Sequence, residues 1–167
     1  MKVITSPNIH NRQPEDIVCF LAGGISNCPD WQKTVIEEIE KTEDIDLSHL
    51  VIFNPRQENF KMYDAVTAQK QIEWEFRWLE QCDIFSMYFC NADSVQPICM
   101  YELGRHVLKK ERQPNNIIIS IEDGYARQFD VITQVNLAIT KPDVILCHAT
   151  PRFHAARIVN CYKAFLD

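Results

Sequence analysis

Ile17-Val18-Cys19-Phe20-Leu21-Ala22-Gly23-Gly24 is a short apolar run closed by two glycines. A continuous apolar segment of this length that stops at a turn signal reads as a strand buried on both faces. Working outward, Trp31, Val35, Ile36 and Ile39 share one face behind Pro29, which predicts a helix over 30–41. Leu50-Val51-Ile52-Phe53 then reads as a second buried strand, stopped by Asn54-Pro55. The alternation continues with a helix over 67–81, where Ile72, Phe76 and Leu79 stand at core spacing, and a third strand over 83–90. A helix over 98–110, a strand over 116–122, a helix over 128–139 and a strand over 143–149 follow. A last helix over 151–166 places Phe153, Ile158, Cys161 and Phe165 as core contacts. Apolar strands separated by helices indicate a parallel sheet covered on both faces. The expectation is one α/β domain, residues 1–167, with a doubly wound five-stranded parallel sheet in the flavodoxin-like order 2-1-3-4-5.

Composition narrows the function classes. The 167 residues are 46% hydrophobic and 24% charged, ordinary values for a globular chain with a core of its own. A formal charge of -6 with scattered lysines and arginines argues against long nucleic acids, whose phosphates require clustered cations. Small anionic ligands stay open, because a local pocket can oppose the net charge. The seven cysteines form no CxxC and no zinc-like Cys-His spacing, so no metal is expected. Their odd number fits a reduced compartment. The segment MKVITSPNIHNRQPED has no apolar signal core and no run approaches bilayer length, so the expected location is the cytoplasm, with no membrane partner.

Ligands of doubly wound sheets bind beyond the carboxyl ends of the strands, near the switch in strand order. Here those ends are Gly23-Gly24-Ile25-Ser26, Asn54-Pro55-Arg56, Asn91-Ala92-Asp93 and Glu122-Asp123-Gly124. Gly23 and Gly24 are two of only four glycines, and they let backbone approach a ligand closely. Without GxGxxG or a P-loop pattern, dinucleotide and nucleoside-triphosphate binding are unsupported. Glu102 follows the third strand and is placed in the first turn of the next helix, where the dipole holds a carboxylate anionic. Glu73 and Glu75 on the preceding helix point about 200° apart, so at most one enters the crevice. Two carboxylates at one site can divide nucleophile from proton donor. Glu73 is otherwise a partner for Arg77 one turn on. Arg56 and Ser26 would suit a sugar-phosphate group, and the Tyr125-Ala126-Arg127-Gln128 segment would close over the site or meet a neighbouring subunit.

Five ordered pieces, FLAGGI (20–25), NPRQ (54–57), IEWEFRWLEQCDIFSMYF (72–89), PICMYELG (97–104) and YARQFDVITQ (125–134), carry a family resemblance. The chain resembles the nucleoside 2-deoxyribosyltransferase superfamily, in its divergent branch of short deoxyribosyltransferase-like proteins. The resemblance implies that the glutamate of the ELG segment, Glu102, is the nucleophile. It also implies that a carboxylate eight residues before Asp83, here Glu75, contacts the base and assists proton transfer. It implies a tyrosine where this chain has Phe20, and a base-contacting aspartate where it has Gln96, with Asp93 nearby but out of register. The implied reaction moves 2-deoxyribose between nucleobases, or hydrolyses deoxynucleosides or their monophosphates, through a covalent glutamyl intermediate. The implied partners are a nucleoside or nucleotide, a free base and further copies of the chain, with no cofactor. The alternative is a nucleotide-binding sensor that has lost turnover, or an interaction module on the same fold.

Overall fold

The computed structural model of the chain describes residues 1–58, 64–110, 116–139 and 144–166. Strands β1 (Lys2–Thr5), β2 (Ile17–Gly23), β3 (Leu50–Asn54), β4 (Ile84–Phe89), β5 (Ile117–Ile121) and β6 (Ile145–Leu146) form one six-stranded sheet. Between and after them lie α1 (Trp31–Glu40), α2 (Ala65–Gln81), α3 (Pro97–Lys110), α4 (Gln128–Ala138) and α5 (Pro151–Lys163). The spatial order is β1-β3-β2-β4-β5-β6 and the pairings are parallel. The five strands expected from sequence therefore keep the order 2-1-3-4-5. The sixth, β1, adds in parallel to β3 from Lys2↔Val51 to Thr5↔Asn54. It escaped the sequence reading because its residues are exposed or half-buried, so no apolar run marks it. The expected fifth strand contracts to Ile145–Leu146, and its first expected residue, Asp143, lies outside the described residues. None of the described helices is long and apolar enough to cross a membrane.

Alternation along β2 divides the interior into two layers. Val18, Phe20 and Ala22 face one core with Trp74, Trp78 and Leu79 of α2, Cys99 and Leu103 of α3, and Val131 of α4. Cys19 and Leu21 face the other, with Trp31, Val35 and Ile39 of α1 and Ile158 and Tyr162 of α5. Two helices correct their expected faces. On α2 the stripe that packs is Gln71, Trp74, Trp78 and Leu79, while Ile72 and Phe76 are exposed. On α5 the stripe is His154, Ala155, Ile158, Val159 and Tyr162, with Phe153 and Phe165 exposed and Cys161 half-buried. In both cases apolar residues occupy two stripes, and the strand beneath selects the bulkier or better hydrogen-bonded one. His154 is the clearest instance. Its ring bridges Ser86 Oγ at 2.6 Å and Ser120 Oγ at 2.7 Å, and burial pushes its pKa down to about 3, so it stays neutral.

The switch in strand order falls between β2 and β4, where Gly23 lies beside Tyr88. Gly23 has φ +149°, and a Cβ there would sit 2.3 Å from the Tyr88 carbonyl oxygen and 2.6 Å from the Trp31 ring. Gly104, midway along α3, would meet nothing within 4 Å. The two positions should respond oppositely to alanine. Gly23→Ala is expected to lose more than ~2 kcal/mol of stability through strain and overpacking. Gly104→Ala should gain about 0.5–1 kcal/mol from helix propensity. Chemical denaturation of both variants checks this; equal effects would contradict the close packing at the end of β2.

Candidate active site

A cavity of about 470 Å³ opens on the α2/α3 side of the sheet, at the carboxyl end of β2. Phe20, Leu79 and Cys99 are among its apolar walls, Gly23 through Ser26 form one rim, and Ser94 and Gln96 form another. Glu75 enters from α2 and Glu102 from α3. Glu73, by contrast, is exposed and accepts a hydrogen bond from Gln69 Nε2 at 2.8 Å. The helical phase thus selects Glu75, one turn beyond buried Gln71.

Helix α3 begins at Pro97, so Glu102 lies beyond its first turn, which holds no acidic residue. The expected dipole stabilisation is therefore weak, since that effect fades after one turn. Burial and then the neighbouring Glu75 charge push the Glu102 pKa up to about 8, with Arg105 opposing them. Burial also raises Glu75, against a hydrogen bond from Gln71. Two carboxylates in a poorly solvated cavity cannot both ionise cheaply, so the pair holds on to a proton above the ordinary carboxylate range. Such a pair can present one anionic oxygen and one acidic proton to the same ligand.

Of the other residues singled out from sequence, Gly23, Gly24, Ile25, Ser26 and Gln96 border the cavity. Gln96 is 3% exposed at φ +50°, and its Nε2 donates to the Cys90 carbonyl at 2.7 Å. Asn54, Arg56, Asp93, Tyr125 and Arg127 are not among the lining residues. The Asn54 side chain accepts from the Arg56 amide at 3.0 Å. Arg56 is spent on the loop after β2: its guanidinium donates to the Pro29 carbonyl at 2.8 Å and to Gln32 Oε1 at 2.9 Å. Asp93 is exposed. Tyr125 is buried in the core and donates to the Val95 carbonyl at 2.9 Å, bracing the 91–96 loop from beneath rather than covering the site. Arg127 pairs with Asp130 at 3.1 Å on the helix that follows.

Sequence reasoning missed four contributors. Arg105 lines the cavity, stacks 3.9 Å from the Phe76 ring centroid and donates to Glu80 Oε1 at 2.6 Å. His106 reaches the cavity wall, packed on Phe85. Gln57 lines the cavity, and Gln71 both lines it and donates to Glu75 Oε1 at 2.6 Å. Helical spacing was the available signal: Arg105 lies three residues after Glu102, and Gln71 four before Glu75. Trp74 and Trp78, neighbours of Glu75 in sequence, instead pack on Phe53 in the core.

Residues 17–125, more than half of the chain, match the family model described as nucleoside 2-deoxyribosyltransferase like. No curated protein matches the chain.

The raised carboxyl pKa values have a consequence for stability. A folded-state pKa above the unfolded value favours the fold below the unfolded pKa, and that advantage disappears as pH climbs through the folded value. For Glu102 the window runs from about 4.5 to about 8. Glu102→Gln is therefore expected to leave the melting temperature nearly unchanged at pH 4 and to raise it at pH 9, by an amount corresponding to a few kcal/mol at most. Thermal melts across that range test it; parallel wild-type and variant curves would remove the buried-charge assignment.

Proposed function

From the premise that this chain belongs to the nucleoside 2-deoxyribosyltransferase-like family, we propose that it breaks and re-forms the N-glycosidic bond of a 2'-deoxynucleoside through a covalent ester on Glu102. The observation that carries this reading is the meeting of Glu75 and Glu102, from two helices, in one cavity at the switch point of the sheet.

In the first step a Glu102 carboxylate oxygen attacks the anomeric carbon as the bond to the base breaks. The bonding electrons leave with the base, which takes the proton held by Glu75. The missing 2'-hydroxyl eases the oxocarbenium-like transition state. In the second step an incoming base gives a proton to Glu75 and displaces the sugar from Glu102, with net retention. Water in place of that base gives hydrolysis. Neither step as written draws on a metal or an organic cofactor. General acid help contributes roughly two to four orders of magnitude in such reactions.

A neutral nucleoside suits the cavity better than its monophosphate. Arg56, the cation expected to meet a phosphate, is engaged by the Gly24–Gln32 loop, and Arg105 is shared with Glu80. The two carboxylates in the cavity make the site unfavourable to a dianion. Four residues of the rim, Ile72, Phe76, Ile98 and Tyr101, are between 51% and 69% exposed, which supports a homo-oligomer in which a second copy covers them. The non-catalytic sensor finds its support at Phe20, which brings no hydroxyl to the cavity, and at Gln96, which cannot give up a proton.

Incubation with mixed deoxynucleosides and free bases is expected to yield exchanged nucleosides or free deoxyribose. Intact-mass analysis after brief exposure should show a deoxyribosyl adduct, and peptide mass mapping should place it on the peptide containing Glu102. Turnover should climb as Glu102 ionises toward pH about 8, and should fall wherever Glu75 loses the proton it gives to the base. Glu102→Ala should abolish the adduct and lower turnover by at least ~10³-fold. Ligand-induced thermal shifts with no turnover would support the sensor, and turnover surviving in Glu102→Ala would falsify the nucleophile assignment.

A further inference from the structure

Gln71 is 6% exposed and sits where three segments converge on α2. Its Oε1 accepts hydrogen bonds from the Ser6 hydroxyl and from Gln57 Nε2. Its Nε2 donates to the Pro55 carbonyl at 2.8 Å and to Glu75 Oε1 at 2.6 Å. Gln57 Nε2 also lies 3.2 Å from Ser6 Oγ, closing the cluster. Ser6 is itself 4% exposed and is delivered by the end of β1, where its amide donates to the Asn54 carbonyl at 3.1 Å.

The direction of these bonds is over-determined. A peptide carbonyl only accepts, so the atom of Gln71 facing Pro55 must be the nitrogen. That choice leaves the oxygen toward Ser6 and Gln57, which both have protons to give. It also aims an N–H at Glu75 Oε1, which must then act as an acceptor whatever the protonation state of the acid. The carbonyl oxygen of a neutral acid accepts better than its hydroxyl oxygen, so this contact favours the Glu75 proton on Oε2.

From this geometry we infer that Gln71 is the positioning residue of the proton donor: held by Ser6, Gln57 and Pro55, it fixes which oxygen of Glu75 carries the acidic proton and strengthens its grip as that proton leaves. The inference rests on the proposed role of Glu75 as general acid. A hydrogen bond to a carboxylate is stronger than one to the neutral acid, so the Gln71 amide makes Glu75 a better acid than burial alone would allow. Gln71 acts on the carboxyl group, and its effect on a substrate passes through Glu75.

The test separates the positioning claim from the glycosyl reading by titrating Glu75 directly, without substrate. Carboxyl-carbon NMR of the wild type, assigned with Glu75→Gln, gives the Glu75 midpoint, and the Gln71 side-chain amide signals are followed in parallel. The expected result is that the Gln71 amide protons move with the same midpoint as the Glu75 carboxyl carbon. In Gln71→Leu the Glu75 midpoint should rise by about one pH unit, the size of one hydrogen bond to a charged carboxylate. Ser6→Ala, which leaves the cavity lining intact, should shift it in the same direction by less. With an active wild type, Gln71→Leu should lower kcat on the order of tenfold or more with KM little changed, and should displace the pH profile upward. Independent midpoints for Gln71 and Glu75 in the wild type overturn the inference, and so does a folded Gln71→Leu with unchanged Glu75 titration. If Gln71→Leu does not fold, the wild-type midpoints and Ser6→Ala still decide it. An inactive wild type with coupled midpoints would remove the glycosyl reading and leave the hydrogen-bond assignment standing.

Discussion

Two negative charges compete for one poorly solvated cavity, and much of the site's construction follows from that conflict. Glu75 and Glu102 cannot retreat into solvent, because the helices that carry them are pinned by their neighbours. Trp74, Trp78 and Leu79 anchor α2 in the core, while Cys99, Leu103 and Val107 anchor α3. Repulsion in a low-dielectric site is relieved most cheaply by keeping a proton. Arg105 moderates the conflict without ending it, since its guanidinium also serves Glu80. The cavity is consequently a place where a proton waits beside a latent anion.

Holding that arrangement open requires a rigid frame on the side of the sheet's switch point. The glycine at the end of β2 lets the chain pass within contact of the Tyr88 carbonyl, and Arg56 ties the following loop through the Pro29 carbonyl and Gln32. Trp31 donates to the Gly24 carbonyl at 2.9 Å from the opposite layer, so the rim is secured from both faces of the sheet. Tyr125 performs the matching task beneath the 91–96 loop. Residues that looked like ligand contacts by their position at strand ends are largely occupied in bracing backbone.

How much of this was legible depends on the kind of signal. The parallel core strands were readable because each is buried on both faces and leaves a continuous apolar run. β1 was not, because an edge strand needs only backbone pairing, and Lys2 through Thr5 carry no periodic apolar pattern. The faces of α2 and α5 were misjudged for a related reason: with two apolar stripes on one helix, sequence cannot say which meets the sheet. On α2 the second stripe, Ile72 and Phe76, lines the cavity instead, so a cavity wall reads in sequence as core. The two acids were found through position and resemblance. An upward shift at Glu75 follows from apolar neighbours in its own sequence, but the shift at Glu102 does not, because it depends on burial and on a charge carried by another helix. Glu102 is the sixth residue of α3, past the first turn in which the helix dipole would favour its ionised form.

The substitution of Phe20 for the tyrosine implied by resemblance fits this electrostatic state. Phe20 is 1% exposed, packs on Trp74 at a ring distance of 5.9 Å and contributes an apolar wall. A phenolic hydroxyl in that wall would donate to an anionic carboxylate and pull its pKa down. With a hydrocarbon ring there instead, burial and the Glu75 charge outweigh Arg105, and the neutral form of Glu102 is favoured. The proposed attack then needs the pair's proton to reside on Glu75 at the moment a nucleoside is bound. A chain that dispenses with the hydroxyl on the nucleophile's side must rely more heavily on the groups that govern the donor's side. In the proposed mechanism those groups are Gln71 and the residues that hold it, and through Ser6 the edge strand at the far side of the sheet is tied to Glu75.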